Sequence, residues 1–363
     1  MSAKTAIMRA MPHVAAPPDR VLHAFGLAPA PIRPAASGLI NRTWHVQSRD
    51  GRPLVLQRVN RIFPPAIHRD IDALTAHLAA KGLPTPRLVP AADGALWAEH
   101  DGGVWRVLTH VEGVTFDAAE TPDRAREAGA VLGRFHAAVR DFDYTPSNAR
   151  LGVHDTAKHL ERLRAALEAN VPPAEVEATR PLADAVFALA ARLPPLPRTP
   201  DRLVHGDPKI SNIVFDAATG RGICLIDLDT LARMPVTLEL GDALRSWCNP
   251  AAEDAREARF DAALFEAALE GYAAAAPDLL EPDEARAVPA ATLTIAVELA
   301  ARFCTDAIED RYFAYDPDRY PSRPAHNRAR AAGQLALARD IAAALPALDE
   351  TVARIFRLSA RPS

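Results

Sequence analysis

The 363-residue chain has little of several features that would each mark a class of protein. Its three cysteines are widely spaced and form no CxxC pair, so the sequence predicts neither a disulfide framework nor a cysteine-based zinc site. No apolar run approaches the roughly 18 residues of a membrane-spanning helix, and the first residues lack the long apolar core of a signal peptide. We therefore expect a cytoplasmic protein without a membrane partner.

An excess of charge of one sign is also missing. The chain has 42 lysines and arginines against 46 aspartates and glutamates, and blocks of like charge are absent. This balance gives no electrostatic reason to expect a nucleic-acid partner. The hydrophobic fraction of 49% is typical of a globular protein, and the length allows two domains. The sequence leaves the oligomeric state open.

The familiar glycine-rich nucleotide motifs are absent as well. The chain contains neither GxGxxG nor GxxxxGK[ST], which excludes the usual dinucleotide-binding and P-loop signatures. D-F-G and A-P-E are missing too, so a serine/threonine protein kinase is not expected. Any nucleotide site must therefore be built from other residues.

The first 110 residues follow a β-rich pattern. Apolar residues alternate in two pairs of segments, each pair joined by an Asp-Gly dipeptide that favours a hairpin turn. The predicted strands are 42–47, 54–59, 95–99 and 104–108. A helix is predicted between the two hairpins, at 66–81.

Beyond about residue 123 the pattern is helical, apart from one small group of strands. Helices are predicted at 123–140, 156–170, 180–192, 253–275, 284–311 with an interruption at Pro289, and 328–344. Strands are predicted at 202–205, 213–215 and 223–226. The fold class is therefore α+β, with a small β-rich lobe over 1–110 and a large, mainly helical lobe over 111–363. A cleft between two such lobes is a natural ligand site.

Polar residues that suit phosphoryl transfer follow the first strand of that group. Asp207 lies in a tight turn after the strand, Asn212 comes five residues later, and Asp227 ends the next predicted hairpin. Phosphoryl transfer needs one carboxylate that orients and deprotonates the acceptor hydroxyl. It also needs hard oxygen ligands that hold Mg²⁺ against the phosphates. These residue types at this spacing fit both requirements.

The stretch 205–212, His-Gly-Asp-Pro-Lys-Ile-Ser-Asn, with Ile-Asp at 226–227, resembles the catalytic and metal-binding loops of the aminoglycoside phosphotransferase and choline kinase superfamily. That superfamily is similar to protein kinases. The resemblance implies a protein-kinase-like two-lobe fold with ATP and Mg²⁺ as cofactors. By the same resemblance Asp207 is the catalytic base, and Asn212 and Asp227 are metal ligands.

Two more residues of these loops acquire roles from the resemblance. Lys209, two residues after the base, matches a lysine of protein-kinase catalytic loops and is expected to steady the transferring phosphate. Asp229 is expected to be a further carboxylate at the metal.

The resemblance also places the nucleotide in the first lobe. A phosphate loop before the first hairpin strand would use Ser37, Gly38, Asn41 and Thr43. The next strand lacks the expected phosphate-binding lysine and has Gln57 and Arg58 instead. Their side chains must point to opposite faces of the strand, and the choice between the charge of Arg58 and the register of Gln57 is open. The connector, with Thr109 and Val111, would meet the adenine.

Several short segments resemble the N-acetylhexosamine 1-kinase branch of the superfamily more closely. They are 37–43, 56–60, 226–230, 240–245, 251–254, 302–306, 310–313 and 326–330. In that branch a Gln-Arg pair in place of the lysine is usual. The resemblance implies a sugar acceptor, phosphorylated at its anomeric hydroxyl. Arg302 and Asp306, one helical turn apart, and Tyr312 are the candidate substrate residues.

Other interpretations are compatible with these residues. The same chemistry could act on an aminoglycoside, a choline-like amino alcohol or homoserine, although the arginines of the C-terminal helices favour a neutral or anionic acceptor. The protein could also be a non-catalytic nucleotide or sugar sensor, which the intact Asp207, Asn212 and Asp227 argue against. Arg302 and Asp306 also fit an exposed ion-pair stripe.

Overall fold

The computed structural model describes residues 16–35, 41–147, 153–169, 173–251, 253–255 and 257–359. Contacts within the chain separate two compact units, one formed by residues 1–76 and 86–111, the other by 77–85 and 112–363. The first is built around an antiparallel sheet and the second is mainly helical. The predicted α+β class is confirmed.

Among its described residues, the first unit contains six short strands, helix α1 and the first ten residues of helix α2, which ends in the second unit. The elements are α1 (Asp19–Ala24), β1 (Arg33–Pro34), β2 (Arg42–Gln47), β3 (Pro53–Val59), α2 (Ile67–Ala80), β4 (Leu88–Val89), β5 (Ala98–His100) and β6 (Gly103–Thr109). The strand order is β1-β2-β3-β6-β4, with β5 paired to β6 and every pair antiparallel. Both predicted hairpins, β2–β3 and β5–β6, are therefore present.

One face of this sheet carries the core of the first unit. Leu54 and Leu56 of β3 lie on the same face as Trp105 and Val107 of β6, and all four side chains are buried. Helix α1 packs against them with its own apolar residues. Because side chains alternate along a strand, the residues between them lie on the opposite face of the sheet. Gln57 of β3 and its register partner Thr43 of β2 lie on that face.

The second unit contains seven long helices and two small two-stranded ribbons among its described residues. The elements are α3 (Pro122–Val139), α4 (Thr156–Glu168), α5 (Pro173–Ala190), β7 (Asp201–Val204), β8 (Ile213–Phe215), β9 (Gly222–Leu225), β10 (Ala232–Pro235), α6 (Val236–Trp247), α7 (Ala262–Ala275), α8 (Pro282–Glu309) and α9 (Arg323–Ile355). Strand β7 pairs with β10, and β8 pairs with β9. The ends of these ribbons hold the candidate catalytic and metal loops.

The structure corrects several predicted helix bounds. Helix α6 and strand β10 were not predicted, and α5 begins seven residues before the predicted start. The predicted interruption at Pro289 is wrong, because α8 runs through that residue. Most of α8 is buried, and burial against neighbouring helices outweighs the local cost of a proline. By length and composition alone α8 could also cross a membrane, but it has the burial of a core helix.

Helices α3 and α7 pack so closely that glycine is required at their contact. A Cβ atom on Gly129 would lie 1.9 Å from the carbonyl oxygen of Ala268, and one on Gly271 would lie 1.9 Å from that of Arg126. Backbone atoms cannot yield as side chains do, so any larger residue must separate the helices. Helix α3 also packs against β9 and β7, the strands that precede the candidate metal and catalytic loops.

Candidate active site

The loop after β7 brings three of the predicted site residues together. Lys209 Nζ lies 2.8 Å from Asp207 Oδ2. The amide of Asn212, at the end of a short 3₁₀ turn, donates to the Asp207 carbonyl at 2.8 Å and to Asp207 Oδ2 at 3.3 Å. One carboxylate oxygen therefore has both an ammonium and an amide beside it, while Asp207 keeps 27% of its side chain exposed. A carboxylate held in this way can meet a hydroxyl group.

The charge balance at this loop favours an ionised lysine. Burial acts to lower the pKa of Lys209, but the charge and hydrogen bond of Asp207, together with the charges of Asp227 and Asp242, raise it above its ordinary value. Lys209 therefore stays a cation at neutral pH. It offsets the negative charge that three nearby carboxylates create.

The backbone of the catalytic loop is fixed by its neighbours. Gly206 has a φ of 83°, and a Cβ there would lie 2.0 Å from the carbonyl oxygen of Thr230, so only glycine fits. The hydroxyl of Thr230 donates to the His205 carbonyl at 3.0 Å, and the indole N–H of Trp247 donates to the Pro208 carbonyl at 2.8 Å. The loop is thus held on both sides of Asp207.

A buried carboxylate of α6 that was not predicted from the sequence also holds this loop. Glu239 Oε1 accepts a hydrogen bond from the Gly206 N–H at 2.6 Å, and its other oxygen contacts His136 Nε2. His136 Nδ1 lies 2.8 Å from the Tyr272 hydroxyl. All three side chains are buried. Burial raises the pKa of Tyr272 well above its usual value, so its hydroxyl stays protonated and can donate to His136.

The candidate metal loop follows β9 and is tied to the catalytic loop. Ile226 N–H donates to the Asn212 carbonyl at 2.8 Å, and His205 Nε2 lies 2.9 Å from the Ile226 carbonyl. Asp227 then adopts a left-handed conformation, with φ 65° and ψ 56°, which is uncommon for a residue other than glycine and is often found at functional sites. It turns the chain into the 3₁₀ segment that carries the buried Asp229.

The chemistry of these donors fits Mg²⁺. Asn212 Nδ2 donates a hydrogen bond to the Asp207 carbonyl, so the side-chain oxygen of Asn212 is the atom that can bind a metal ion. The carboxylates of Asp227 and Asp229 are the other candidate metal ligands. Among the described residues there is no group of three or more His, Cys, Asp or Glu side chains that could by itself enclose a metal ion. Mg²⁺ commonly uses one or two carboxylates and completes its shell with phosphates and water.

A second polar cluster in the same unit surrounds Asp242. Arg245 Nη2 lies 2.9 Å from Asp242 Oδ1. On the neighbouring elements His154 Nδ1 lies 2.9 Å from Glu298 Oε1, and the Thr156 hydroxyl donates to Glu298 at 2.8 Å. Burial acts to raise the pKa of Asp242, but the charges of Arg245, His154 and Arg302 outweigh it and lower the pKa. Cations and anions are therefore interleaved in this cluster.

The three predicted substrate residues have different surroundings. Asp306 is buried and accepts hydrogen bonds from the backbone N–H groups of residues 311–313 and from the Asn327 amide, so its carboxylate shapes the loop after α8. Arg302 Nη1 lies 3.8 Å from Glu298 Oε1, and the Arg302 guanidinium carbon lies 5.7 Å from the centre of the Phe313 ring. Tyr312 is 55% exposed, so it can contact a ligand without rearrangement of the core.

The structure describes six of the eight residues of the first unit that are predicted to bind the nucleotide. Ser37 and Gly38 lie outside the described residues. Asn41 is buried and accepts a hydrogen bond from the Asn60 N–H at 2.9 Å. Thr109 ends β6 and its hydroxyl accepts from the Arg87 N–H, while the half-buried Val111 is the last residue of this unit. The strand register places Asn41 and Thr109 at opposite ends of the sheet strands, and a contact of these residues with the nucleotide stays a prediction.

Gln57 and Arg58 occupy opposite faces of β3, as strand alternation predicts. The Gln57 amide nitrogen donates to the Thr43 hydroxyl at 3.2 Å. Arg58 lies over Gly103, with its guanidinium 5.7 Å from the Trp105 ring centre, on the face that carries the apolar core of this unit. The two side chains therefore have different neighbours and cannot substitute for one another.

Comparison with a family model and comparison with individual proteins both indicate a phosphotransferase. Residues 31–277 match the model of the phosphotransferase enzyme family, APH. The homoserine kinase of Acidiphilium cryptum is 30% identical over 260 residues, which cover 71% of this chain and 75% of that protein. The homoserine kinase of Burkholderia cenocepacia is 36% identical over 77 residues, so the matched part of the chain spans only 23% of that relative's length.

Solved structures share the fold at low sequence identity. The aminoglycoside phosphotransferase of Alicyclobacillus acidocaldarius has a TM-score of 0.60 at 18% identity, with 95% of this chain and 99% of that chain covered. The amicoumacin kinase hAmiN, in complex with AMP-PNP, Ca²⁺ and its antibiotic, has a TM-score of 0.58 at 15% identity, with 92% and 91% covered. The family model matches more than half of this chain, which shows that the chain belongs to the phosphotransferase enzyme family.

Proposed function

We propose that the protein is a kinase that transfers the γ-phosphoryl group of ATP to a hydroxyl of a small molecule, with Asp207 as the catalytic base. The main support for the proposal is the geometry of Asp207, Lys209 and Asn212. A partly exposed carboxylate lies beside a cation and an amide. Family membership supports the same chemistry. A sensor without catalysis would have no need for this arrangement.

In the proposed reaction the acceptor hydroxyl donates a hydrogen bond to Asp207. The acceptor oxygen forms a bond to the γ-phosphorus while the bond to the bridging oxygen of ADP breaks, and that oxygen leaves with the electron pair. The acceptor proton passes to the Asp207 carboxylate. Lys209, which hydrogen-bonds the same carboxylate, orients it and contributes positive charge where the phosphoryl group is transferred.

Asn212, Asp227 and Asp229 are the residues that would hold Mg²⁺. When bound, the ion neutralises charge on the phosphates of ATP. The hydrogen bonds between the Asn212 amide and Asp207 link the base to the metal ligands. A change at Asn212 is therefore expected to affect both functions.

We further propose that the acceptor is an N-acetylhexosamine or a related sugar, phosphorylated at its anomeric hydroxyl. The proposal comes from the resemblance of the short segments, including 302–306 and 310–313, to the N-acetylhexosamine 1-kinase branch. The interleaved charges around Asp242 and Glu298 support it, because a neutral sugar needs several directional partners rather than one strong charge. Arg302 and Tyr312 remain the candidate contacts, and Asp306 is assigned to shaping their loop.

Homoserine is the second candidate acceptor, and the names of the curated relatives favour it. Homoserine carries both an ammonium and a carboxylate. The cluster contains cations and anions close together, with Arg302 beside Glu298 and Arg245 beside Asp242. A strongly cationic acceptor such as an aminoglycoside or choline is less suited, because it would place its charge against Arg245 and Arg302.

The test is ADP release with Mg²⁺-ATP and a panel of acceptors: N-acetylglucosamine, N-acetylgalactosamine, glucosamine, glucose, galactose, homoserine, choline and kanamycin. We expect turnover with an N-acetylhexosamine. Turnover with homoserine alone would keep the chemistry and replace the sugar acceptor. Nucleotide binding without turnover on any acceptor would favour the sensor.

A further inference from the structure

The loop between α8 and α9, residues 310–322, is held by buried polar side chains near both of its ends. Near its start, Asp306 accepts hydrogen bonds from the backbone N–H groups of residues 311–313. Farther along, the Asp316 N–H donates to the ring of His326, at Nδ1, over 3.1 Å. Asp306 and His326 are both buried. The first anchor is a carboxylate, and the second is a ring that can titrate near neutral pH.

The α8–α9 loop borders the candidate active site of the same unit. The centre of the Phe313 ring lies 5.7 Å from the guanidinium carbon of Arg302, and the exposed Tyr312 packs edge-on against Phe313. Arg302 is close enough to Asp242, and Asp242 to Lys209 of the catalytic loop, for their charges to interact. The conformation of this loop therefore affects the space that is open to an acceptor.

The partners of His326 define where its ring carries a proton. The Asp316 N–H can only donate, so Nδ1 must present a lone pair to it. Nε2 lies 3.1 Å from Oδ2 of Asp254, a carboxylate that accepts. The ring is therefore neutral, with its proton on Nε2. A second proton would occupy Nδ1 and set it against the Asp316 N–H.

The surroundings of the ring oppose that second proton. Burial and the charge of Arg330, one helical turn away, lower the pKa of His326, and the charge of Arg319 acts in the same direction against that of Asp254. Asp254 Oδ2 is shared, because the Tyr320 hydroxyl donates to it at 2.8 Å and Arg319 lies 2.9 Å from it. The Tyr320 ring also stacks on the His326 ring, with the centres 4.1 Å apart. His326 is therefore neutral at pH 7 and becomes charged only below the ordinary histidine value of about 6.5.

We propose that His326 is a positioning residue whose neutral ring holds the α8–α9 loop, so that acceptor binding weakens when the ring is protonated. This inference rests on the proposed function. Protonation removes the acceptor of the Asp316 N–H, and a buried donor without a partner is costly. The anchor is complete above about pH 6.5 and is lost as the pH falls below that value.

The test uses His326→Asn, because the asparagine Oδ1 can replace Nδ1 as an acceptor and does not titrate. ADP release is measured from pH 5.5 to 8 with the best acceptor of the panel. We expect the ratio of the acceptor KM of wild type to that of His326→Asn to rise about fivefold to tenfold between pH 7.5 and 5.5, with the ratio of kcat constant. His23→Asn, at an exposed histidine of α1, is the control and should follow wild type at every pH. A KM ratio that does not change with pH would overturn the inference.

Amide hydrogen exchange tests the anchor without turnover. After correction for the intrinsic rates, the peptide 314–320 of the wild-type protein should exchange faster at pH 5.5 than at pH 7.5, and that of His326→Asn should not. Equal protection at both pH values in wild type would overturn the inference even if His326→Asn fails to fold. Faster exchange at pH 5.5 in a protein that turns over no acceptor would support the anchor and overturn the proposed function.

Discussion

Removal of the Glu239 carboxylate is expected to release the catalytic loop from the body of the helical unit. In Glu239→Ala the Gly206 N–H and the His136 ring lose their common acceptor inside a buried site. An unsatisfied buried polar group costs about 1–3 kcal/mol, so two such groups correspond to about 2–6 kcal/mol, and the cavity adds to this. The loss is a large fraction of the total stability of about 5–15 kcal/mol that is usual for a domain.

Glu239→Gln separates the role of the acceptor from that of the charge. The glutamine oxygen can still accept from the Gly206 N–H, and a change of tautomer lets His136 accept from the new amide. The expected cost is about 1 kcal/mol, the difference between a charged and a neutral acceptor. Glu266→Ala is the control, because Glu266 pairs with Arg354 at the surface of α7 and α9, where a pair contributes little.

Two measurements follow the release of the loop. Urea denaturation should give stabilities in the order wild type, then Glu239→Gln, then Glu239→Ala. Amide hydrogen exchange should show faster exchange in the peptide that spans 203–209 in the alanine variant, whereas Glu266→Ala should match wild type. Equal urea midpoints for the alanine and glutamine variants, or unchanged exchange of that peptide in Glu239→Ala, would show that Glu239 does not hold the catalytic loop.

Three further predictions concern packing, pH and thiol chemistry. Gly129→Ala should destabilise the protein by about 3 kcal/mol, and Gly133→Ala should destabilise it by less. The reason is that the atom nearest to the new Cβ is 1.9 Å away at position 129 and 2.9 Å away at position 133. Thermal unfolding of both variants checks this prediction, and equal melting temperatures would contradict it. Burial acts to lower the pKa of His154, but the Glu298 hydrogen bond and the charges of Asp242 and Glu298 raise it, so its stabilising effect should be complete below about pH 6.5 and lost as pH rises through the raised pKa. The stability difference between wild type and His154→Gln should therefore shrink with rising pH, and a difference that grows would have the wrong sign. Burial raises the pKa of Cys224 and Cys304 to about 12, so iodoacetamide at pH 8 should label them only after unfolding.

The candidate catalytic loop could be read from the sequence because its parts are close together in the chain. Asp207, Lys209 and Asn212 fall within six residues, and their hydrogen bonds follow from one turn and one short 3₁₀ segment. The Asp-Gly hairpin turns are local in the same sense, and Asp101 and Gly102 have the positive φ values that such a turn requires. Local patterns specify local geometry.

Residues whose partners are distant in the chain were not found. Glu239 lies 33 residues from Gly206, and Arg106, a buried arginine of β6 that donates to Gln57, lies 49 residues from it. A signal for Arg106 did exist, since an arginine in the middle of the apolar strand 104–108 is unusual. No local signal identified Glu239, because its helix α6 was itself missed.

Helix bounds failed where tertiary packing outweighs local propensity. Pro289 lies inside α8, where local preference predicts a break, yet most of that helix is buried against its neighbours. The start of α9 had a signal that was overlooked: Ser322 caps the helix by accepting from the Ala325 N–H, and a proline follows in the first turn.

In the proposed reaction Asp207 takes the proton of the acceptor during Mg²⁺-ATP-dependent phosphoryl transfer. The most direct measurement is the rate of a single turnover with the best acceptor of the panel, for wild type, Asp207→Asn and Asp216→Asn. Asp216 is the matched control, because it is an aspartate after the next strand whose oxygen only caps a surface turn. A general base contributes about 10²–10⁴-fold, so we expect that loss in Asp207→Asn with AMP-PNP affinity preserved, and none in Asp216→Asn. A wild-type rate in Asp207→Asn would show that Asp207 is not the catalytic base.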